Sequence, residues 1–325
     1  MSYINDLPKI DLHCHLDGSL SREFIEKCLN KSVDPNELTA PYDCQSLAEY
    51  LTKFDLPVSA LQTKDNLKNA VIDVISQAKA ENITYLEIRF APTLSINNEL
   101  SYNDIYEAVI DGTKEGFNTY GVYSNIIICA MRHHSETDNL NMLKAGREYL
   151  GKGICALDLA GDEAGFPNEK FTYLFEEAAR LDMPFTIHSG ECGRSKNIKI
   201  AVDAGAKRIG HGICLLDDKD LIRLCKERSI GFELCPTSNY QTKAVKPGTD
   251  YPLRAFIDYG IKATVNTDNR TVSNTTMSRE YELITDKLNI AKEELMLIYK
   301  NSIELSFAND DIKNILYKTI SDYAK

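Results

Sequence analysis

The chain has 325 residues, 43% of them hydrophobic, and a formal net charge of -11. This composition is sufficient for one large core and excludes a disordered chain. The acidity makes nucleic-acid backbones and anionic membranes poor partners. The sequence contains no apolar run long enough to span a bilayer, and Met1 to Pro8 lacks a signal-peptide pattern, so we expect a cytoplasmic protein.

Eight short apolar runs, each followed by polar residues, occur along the chain and are typical of strands buried on both faces. They cover residues 9–12, 83–90, 125–131, 154–159, 185–187, 208–209, 231–234 and 263–265. Helix-like stretches lie between them, for example at 66–80, 102–119, 169–181 and 219–228. The alternation predicts a single-domain (β/α)8 TIM barrel over residues 1–325. A doubly wound open sheet is the alternative, but no GxGxxG motif follows any strand.

Two segments fall outside this alternation. In the long gap between the first two strands, Leu47, Leu51 and Phe54 share a helical face, which predicts either a lid over the barrel mouth or an ordinary packed helix. The chain after the last strand also indicates helices. The residues expected to contact the core there are Leu295, Ile298, Leu305, Ile315 and Tyr317.

The nine cysteines are scattered, and several of them lie in strand-like stretches. An odd number of dispersed thiols fits a reducing compartment better than a disulfide framework. No CxxC pair occurs, which argues against a thiolate zinc site.

Ionisable residues follow several of the predicted strands, at the end of the barrel where TIM-barrel sites form. His13 and His15 follow the first strand, His188 the fifth and Asp268 the eighth. Alternate residues of an extended chain share a face, so His13 and His15 can reach one ion. For each of these four residues taken singly, a purely structural role is the alternative to metal binding. Together they predict one metal site, and three imidazoles with one carboxylate suit zinc, with cobalt, nickel or iron also tolerated.

Two further residues are candidates for catalysis. His211 ends the sixth strand between two glycines, which allow a ligand to approach closely. Glu191 lies three residues after His188, where a carboxyl group near the metal can serve as an acid. A turn histidine and an exposed loop glutamate are the alternative interpretations.

These segments together resemble the adenosine deaminase family of metal-dependent amidohydrolases. Seven motifs run in family order across most of the chain, which makes the resemblance specific. The motifs are KIDLHCHLDGS (9–19), YLEIRFAP (85–92), DLAGDE (158–163), HSGE (188–191), RIGHG (208–212), CPTSN (235–239) and NTD (266–268).

The resemblance implies a zinc-dependent enzyme of purine salvage that deaminates adenosine, and deoxyadenosine as well, to inosine products and ammonia. One Zn²⁺ per chain would be held by His13, His15, His188 and Asp268. Glu191 would protonate purine N1, and His211 would orient the attacking hydroxide or take its proton. The residues expected to contact the substrate are His15, Asp17, Gly161 and Asn269.

The sequence departs from the family pattern at Asn269, where many relatives carry an aspartate that meets purine N7. An amide can donate a hydrogen bond to N7 without being protonated itself. Ser189 replaces a common alanine. A sister deaminase acting on adenine or another adenosine derivative is the closest alternative. Asp17 favours a nucleoside, because a carboxylate beside the 5′ position repels a phosphate group.

A non-catalytic nucleoside-binding barrel is a more distant alternative, since a fold alone does not fix a function. No motif of the cytidine-deaminase type, which ends in PCxxC, is present. His133 and His134 follow the third strand, and we interpret them as loop or core residues. The sequence does not indicate an oligomeric state.

Overall fold

Eight parallel strands form the centre of the molecule. The computed structural model describes residues 3–42, 44, 47–192, 194–246 and 248–325. The strands are β1 Lys9–His15, β2 Ile83–Phe90, β3 Tyr123–Met131, β4 Ile154–Ala160, β5 Thr186–Ser189, β6 Arg208–His211, β7 Gly231–Leu234 and β8 Ala263–Val265. All eight predicted strands are therefore present, and three of them have the predicted bounds.

The strands pair in sequence order and close on themselves. Continuous ladders join β1 to β4 and β5 to β8. Single bridges, between Leu157 and Phe185 and between Cys14 and Asp268, connect the two halves. The second seam is formed by backbone bonds, in which His15 N–H donates to Asp268 O at 2.7 Å and Asp268 N–H donates to His13 O at 2.8 Å. The predicted TIM barrel is confirmed.

Helices surround the barrel and extend it at both ends of the chain. The described residues form α1 Tyr3–Asp6, α2 Arg22–Leu29, α3 Pro35–Leu38, α4 Leu47–Leu51, α5 Asp55–Ser59, α6 Lys64–Ala80, α7 Tyr102–Tyr120, α8 Glu136–Arg147, α9 Thr172–Arg180, α10 Ser195–Asp203, α11 Lys219–Glu227, α12 Pro236–Gln241, α13 Leu253–Tyr259, α14 Met277–Leu288, α15 Lys292–Leu305 and α16 Asp310–Tyr323. Short 3₁₀ segments lie at Thr52–Phe54, Pro92–Leu94, Asn168–Phe171 and Ile213–Asp217. None of the helices in this described part is long and apolar enough to cross a bilayer.

Local sequence signals set the limits of these helices. A capping box begins α7, since Ser101 Oγ accepts the Asp104 N–H while the Asp104 carboxylate accepts the Ser101 N–H. The helix ends at Gly121, whose φ of 70° lies in the left-handed region that glycine tolerates. At the start of α6, the Thr63 hydroxyl oxygen accepts the Asn66 N–H at 3.1 Å. These caps place α6 and α7 side by side against β2 and β3.

The barrel interior is not wholly apolar. Five buried ionic side chains from β2, β4, β6 and β7 form one network within it. Arg89 donates to Asp158 and Glu233 at 2.8 Å each, and Arg208 donates to Glu233 at 2.5 Å and to Glu87 at 2.6 Å. All five are fully buried. Each carboxylate in the network therefore faces a guanidinium, as buried charge requires.

The segment between α15 and α16 packs against the barrel where β6 begins. Arg208 donates to Leu305 O at 2.8 Å, and its guanidinium lies 4.1 Å from the centre of the Phe307 ring. The Phe307 N–H donates to the Glu87 carboxylate at 2.6 Å. The C-terminal helices are thus anchored to the ionic network as well as to the apolar core.

Part of the predicted C-terminal core is wrong. Leu295 and Ile298 are buried and Leu305 packs at the core margin, but Ile315 and Tyr317 are 43% and 39% exposed. The inward face of α16 instead carries Leu316 and Ile320, which lie four residues apart and so share one side of the helix. The prediction chose apolar residues that flank this stripe.

Within the described residues, no cysteine takes part in a disulfide. Most are buried in the core, where they pack as small apolar side chains.

We expect Arg208→Met to lower the free energy of unfolding by about 3–5 kcal/mol, because it leaves Glu87 and Glu233 buried without this cation. Urea titration of the metal-loaded protein measures the loss. Arg223→Met is the control, since the exposed Arg223–Asp220 pair should contribute less than about 1 kcal/mol. Equal midpoints for the two variants would contradict the assigned role of Arg208.

Candidate metal centre and active site

The strands bring the predicted ligands together at one end of the barrel. His13 and His15 lie two residues apart in β1 and therefore face the same side. His188 lies in β5, His211 is the last residue of β6, and Asp268 follows β8. The histidines were predicted to follow their strands, whereas they lie within them. The ladders continue further than the apolar runs, since polar groups on this side face the barrel mouth.

The ligand atoms converge closely. His13 Nε2 and His15 Nε2 lie 3.3 Å and 3.4 Å from the same Asp268 oxygen, Oδ1. His15 Nε2 lies 3.2 Å from His188 Nε2. His211 joins this cluster, because ligand atoms of His13, His188, His211 and Asp268 all lie within 4.8 Å of one another. This mutually close set contains His211 and leaves out the predicted ligand His15, which lies near Asp268 and His188. Together the predicted ligands and His211 make five candidates.

The donor set fits a divalent cation. His13 Nε2 is buried and has no hydrogen-bond partner. An orphaned imidazole nitrogen facing a carboxylate and other imidazoles is unfavourable unless a cation lies between them. Imidazole nitrogen and carboxylate oxygen are the ligands of catalytic zinc sites.

Two buried carboxylates orient two of the imidazoles. Glu233 Oε2 lies 2.8 Å from His13 Nδ1, and Asp158 Oδ2 lies 2.8 Å from His188 Nδ1, where the ring N–H is imperfectly aligned. A carboxylate at this distance favours a proton on Nδ1, which leaves the Nε2 lone pair free toward the cluster. Burial opposes the charge of Glu233, but Arg89 and Arg208 outweigh it and hold its pKa well below the usual range.

The role of Glu233 was not predicted, although a signal was present. A glutamate in the centre of the buried strand Gly-Phe-Glu-Leu has to be paired. Asp158 is the first residue of the motif DLAGDE, and the sequence predicted no role for it.

The backbone is strained at two site residues. His211 has a φ of 63° and Asp268 a φ of 59°, conformations that non-glycine residues rarely adopt. Gly212 follows with a φ of 68°, and a Cβ atom there would lie 2.3 Å from the Phe232 ring. Such strain persists where the surrounding structure fixes a functional side chain.

Glu191 lies beside the cluster in a buried environment. The Thr242 hydroxyl donates to its Oε1 at 3.0 Å, while Oε2 lies 3.8 Å from His211 Nε2. Burial, together with the nearby charge of Asp268, raises the pKa of Glu191 to about 8. A carboxyl group with this pKa holds a proton at neutral pH, which a general acid requires.

His211 is held by an amide, whereas His13 and His188 are held by carboxylates. The Asn239 amide donates to its Nδ1 at 3.0 Å, and the Asn239 carbonyl oxygen accepts from the Tyr251 hydroxyl at 2.8 Å. Burial lowers the pKa of His211 well below its usual value, so the ring is neutral. Because Nδ1 accepts a hydrogen bond, the single ring proton lies on Nε2, toward Glu191.

A cavity of about 400 Å³ opens onto these groups. The segment from Tyr50 to Val58 covers one side and contributes Leu51 and Phe54, which favours the lid over the ordinary packed helix. The side chain of Leu47 lies outside the described residues. His133, interpreted from the sequence as a loop or core residue, lines the cavity together with Asp162, which was not predicted. The remaining walls are largely apolar, as in small-molecule sites.

The predicted substrate contacts also line this cavity. These residues are His15, Asp17, Gly161 and Asn269. Burial raises the pKa of Asp17 to about 6, so it is mostly ionised at neutral pH. Asn269 Oδ1 is buried without a partner. The amide packs against Gly18, where a Cβ atom would lie 1.9 Å from Oδ1.

The comparison with known proteins agrees with the geometry. A family model described as adenosine deaminase matches residues 8–323. The chain belongs to the adenosine deaminase family. It is 39% identical to a protein of Enterococcus faecalis named adenosine deaminase, over 98% of this chain and 97% of that protein. A Clostridium perfringens protein of the same name is 37% identical over 98% of this chain and 99% of its own length.

Solved structures share the fold at lower identity. An adenine deaminase from Arthrobacter aurescens superposes with a TM-score of 0.88 at 24% identity, covering 98% of this chain and 99% of its own. The Arabidopsis protein ADAL in complex with IMP gives a TM-score of 0.86 at 24% identity, covering 99% and 98%. An amidohydrolase from Burkholderia ambifaria with bound Zn gives 0.86 at 20% identity, covering 98% and 94%.

We expect one divalent cation per chain to stabilise this adenosine deaminase family member. Adding zinc to chelator-treated protein should raise its Tm, with about 2.7 kcal/mol of stabilisation when free zinc is a hundredfold above Kd. Differential scanning calorimetry measures the shift. Asp268→Asn should lose most of this response, and an unchanged Tm in the native protein would exclude a metal centre.

Proposed function

We propose that this chain is a zinc-dependent aminohydrolase that converts adenosine and 2′-deoxyadenosine to inosine or deoxyinosine and ammonia. The observation that carries the proposal is the buried Glu191, whose pKa burial raises to about 8, beside the His/Asp cluster in one cavity. An acid beside a metal site is what hydrolytic removal of an aromatic amino group requires. The similarity to proteins named adenosine deaminase supports the substrate.

The proposed zinc ligands are His13, His15, His188 and Asp268. His211 is the fifth candidate, but the amide that donates to its Nδ1 places its proton on Nε2, and a protonated nitrogen cannot bind a cation. His13 and His188 have the opposite arrangement, with carboxylates at Nδ1. When bound, a zinc ion lowers the pKa of a coordinated water to about 7 and so makes hydroxide available at neutral pH.

We expect His15→Ala to lose stoichiometric zinc and His211→Ala to retain it. Both variants should lose turnover, so the metal content separates a ligand from a group that acts on the reacting atoms. Elemental analysis after dialysis against a weak chelator gives the zinc-to-protein ratio. The reverse outcome would replace His15 by His211 in the ligand set.

The remaining chemistry belongs to the side chains around the cavity. Addition of oxygen at purine C6 increases negative charge on the ring, and Glu191 offsets it by protonating N1. The C6–N bond then breaks, and the amino group leaves as ammonia with the proton of the added hydroxyl, so that a C6 carbonyl remains. Because Oε1 accepts from Thr242, the proton lies on Oε2, the oxygen that faces the cluster. The Nε2–H of His211 is placed to orient the attacking oxygen. Proton acceptance by His211 is less favoured, because Nε2 is already protonated and burial disfavours its charged form.

We expect Glu191→Gln to reduce turnover by about 10²–10⁴-fold, the usual contribution of a general acid. Zinc content and inosine affinity should stay within a few-fold of the native values, since the amide preserves the shape of the side chain. Stopped-flow and binding assays separate these effects.

The pH profile of the native protein provides a second check on Glu191. The active form is the protonated one, so turnover should fall as the pH rises above about 8. This alkaline decline should be absent from the residual activity of Glu191→Gln. A native profile that stays flat to pH 10 would contradict the assignment of Glu191 as the acid.

Asp17 and Asn269 are the proposed determinants of substrate class. The Asp17 carboxylate would accept a hydrogen bond from a free 5′-hydroxyl and repel a 5′-phosphate. The Asn269 amide would donate to N7, and Gly161 would bind the base through its backbone. Adenine and nucleotide deamination remain the alternatives, because similar barrels include an adenine deaminase and an IMP complex.

A panel of adenine, adenosine, deoxyadenosine and AMP, assayed for ammonia release, tests this choice. We expect the two nucleosides to exceed AMP by at least about tenfold in kcat/KM, and Asp17→Asn to narrow that ratio by removing the repulsion. Activity confined to adenine or AMP would overturn the substrate while leaving the chemistry intact. Ammonia release from none of the substrates by zinc-loaded protein would favour a nucleoside-binding barrel.

We further propose that the chain acts as a single domain over residues 1–325, in the cytoplasm and in purine salvage. Its partner would be a small purine nucleoside and neither nucleic acid nor membrane. The net charge of -11 argues against nucleic acid and membrane partners, and a cavity of about 400 Å³ suits a small molecule.

A further inference from the structure

Another buried glutamate, Glu163, lies beneath the loop that carries Glu191. The Glu163 side chain, in a residue only 2% exposed, accepts four hydrogen bonds. Its Oε1 accepts from Gly190 N–H and from the Asn197 amide, both at 2.7 Å, and its Oε2 accepts from Glu191 N–H at 3.0 Å and Cys192 N–H at 3.2 Å. One carboxylate therefore binds three successive backbone amides.

No cation compensates this carboxylate directly. Across the described ranges, no lysine, arginine or histidine lies within ion-pair distance of Glu163. All four of its direct partners are N–H donors, and Arg132 attracts it from a longer distance. The loop adopts the required curvature because Gly190 has a φ of 75°. A Cβ atom there would lie 2.5 Å from Ile198, so the position also requires a small residue.

The opposite side of the same loop is also fixed. Arg132 donates to His188 O at 2.7 Å, and the Asn168 amide donates to the Ser189 hydroxyl at 2.8 Å. The loop begins at a proposed zinc ligand and leads directly to the proposed acid. Glu163 is the group that bonds to the backbone of Glu191 itself, so it sets the separation between the metal cluster and the acid.

We propose that Glu163 is a positioning residue for proton transfer, one that holds Glu191 at its place beside purine N1. This inference rests on the role proposed above for Glu191. Glu163 does not line the cavity and so acts through the loop and not on the substrate. A displacement of the acid by about 1 Å is enough to cost about a hundredfold in rate.

The test is Glu163→Gln. A glutamine has one acceptor oxygen and one NH₂ group, so at least two of the four N–H donors would face another donor. We expect kcat to fall by about 100-fold, with KM and zinc content within about twofold of the native values. Hydrogen exchange at the amides of 190–192 should accelerate in the folded variant. Glu169→Gln is the matched control. Glu169 also lies between β4 and β5, but it pairs with Lys196 at the surface.

A double variant separates this inference from the proposed function. If Glu163 acts through Glu191, then adding Glu163→Gln to Glu191→Gln should lower kcat no further. Additive losses would overturn the positioning role, as would a single variant with native kcat. If the native protein proves not to deaminate any purine, the exchange of amides 190–192 still reports on the loop, so the two proposals fail separately.

Asn197→Asp provides a second route should the glutamine variant not fold. The new aspartate keeps an oxygen that can accept from Asn168 N–H. It replaces the NH₂ group that donates to Glu163 Oε1 by a second carboxylate oxygen, which repels it. We expect the same loss of kcat at unchanged zinc content. Native kcat in this variant would likewise contradict the inference.

Discussion

The site depends on the pairing of Arg89 with Glu233 and Asp158 inside the barrel. Each carboxylate meets the guanidinium on one side and an imidazole Nδ1 on the other, at His13 and His188. Arg89 helps to keep both carboxylates ionised, with Arg208 acting on Glu233 and His188 on Asp158. Protonated carboxyl groups would not fix the two imidazoles in the same way. The orientation of the Nε2 lone pairs of His13 and His188 toward the metal site therefore depends on the Arg89 guanidinium, which lies outside the cavity.

Stability alone does not explain this network. Buried ion pairs are often no more stabilising than well-packed apolar residues of similar volume, because desolvation offsets the attraction. An apolar interior could have closed the same barrel, but it would have left His13 free to rotate and to change its tautomer. The ionic network fixes the orientation of the imidazoles at some cost in stability. We infer that Arg208 contributes to this orientation, because it donates to the second oxygen of Glu233.

The sequence contained most of the fold and part of the site. Apolar runs located every strand, because parallel strands are buried on both faces. They could not locate the ends of β1, β5 or β6, where the ladder continues through polar residues such as His15 and His211. The roles of Glu233 and Glu163 were not predicted, because their partners lie on other elements. Glu233 pairs with the His13 imidazole, and Glu163 accepts from three backbone amides of the loop after β5. Such contacts are set by tertiary packing, which no local pattern encodes.

The seam that closes the barrel couples folding to metal binding. His13, His15 and Asp268 bond through their backbones across that seam, while their side chains converge on one point. A cation there would bind the nitrogen and carboxylate lone pairs that converge where the two halves of the barrel are joined by a single bridge. Metal binding should therefore stabilise the closure between β8 and β1 more than the continuous ladders, so that loss of the ion loosens the barrel first at its active site.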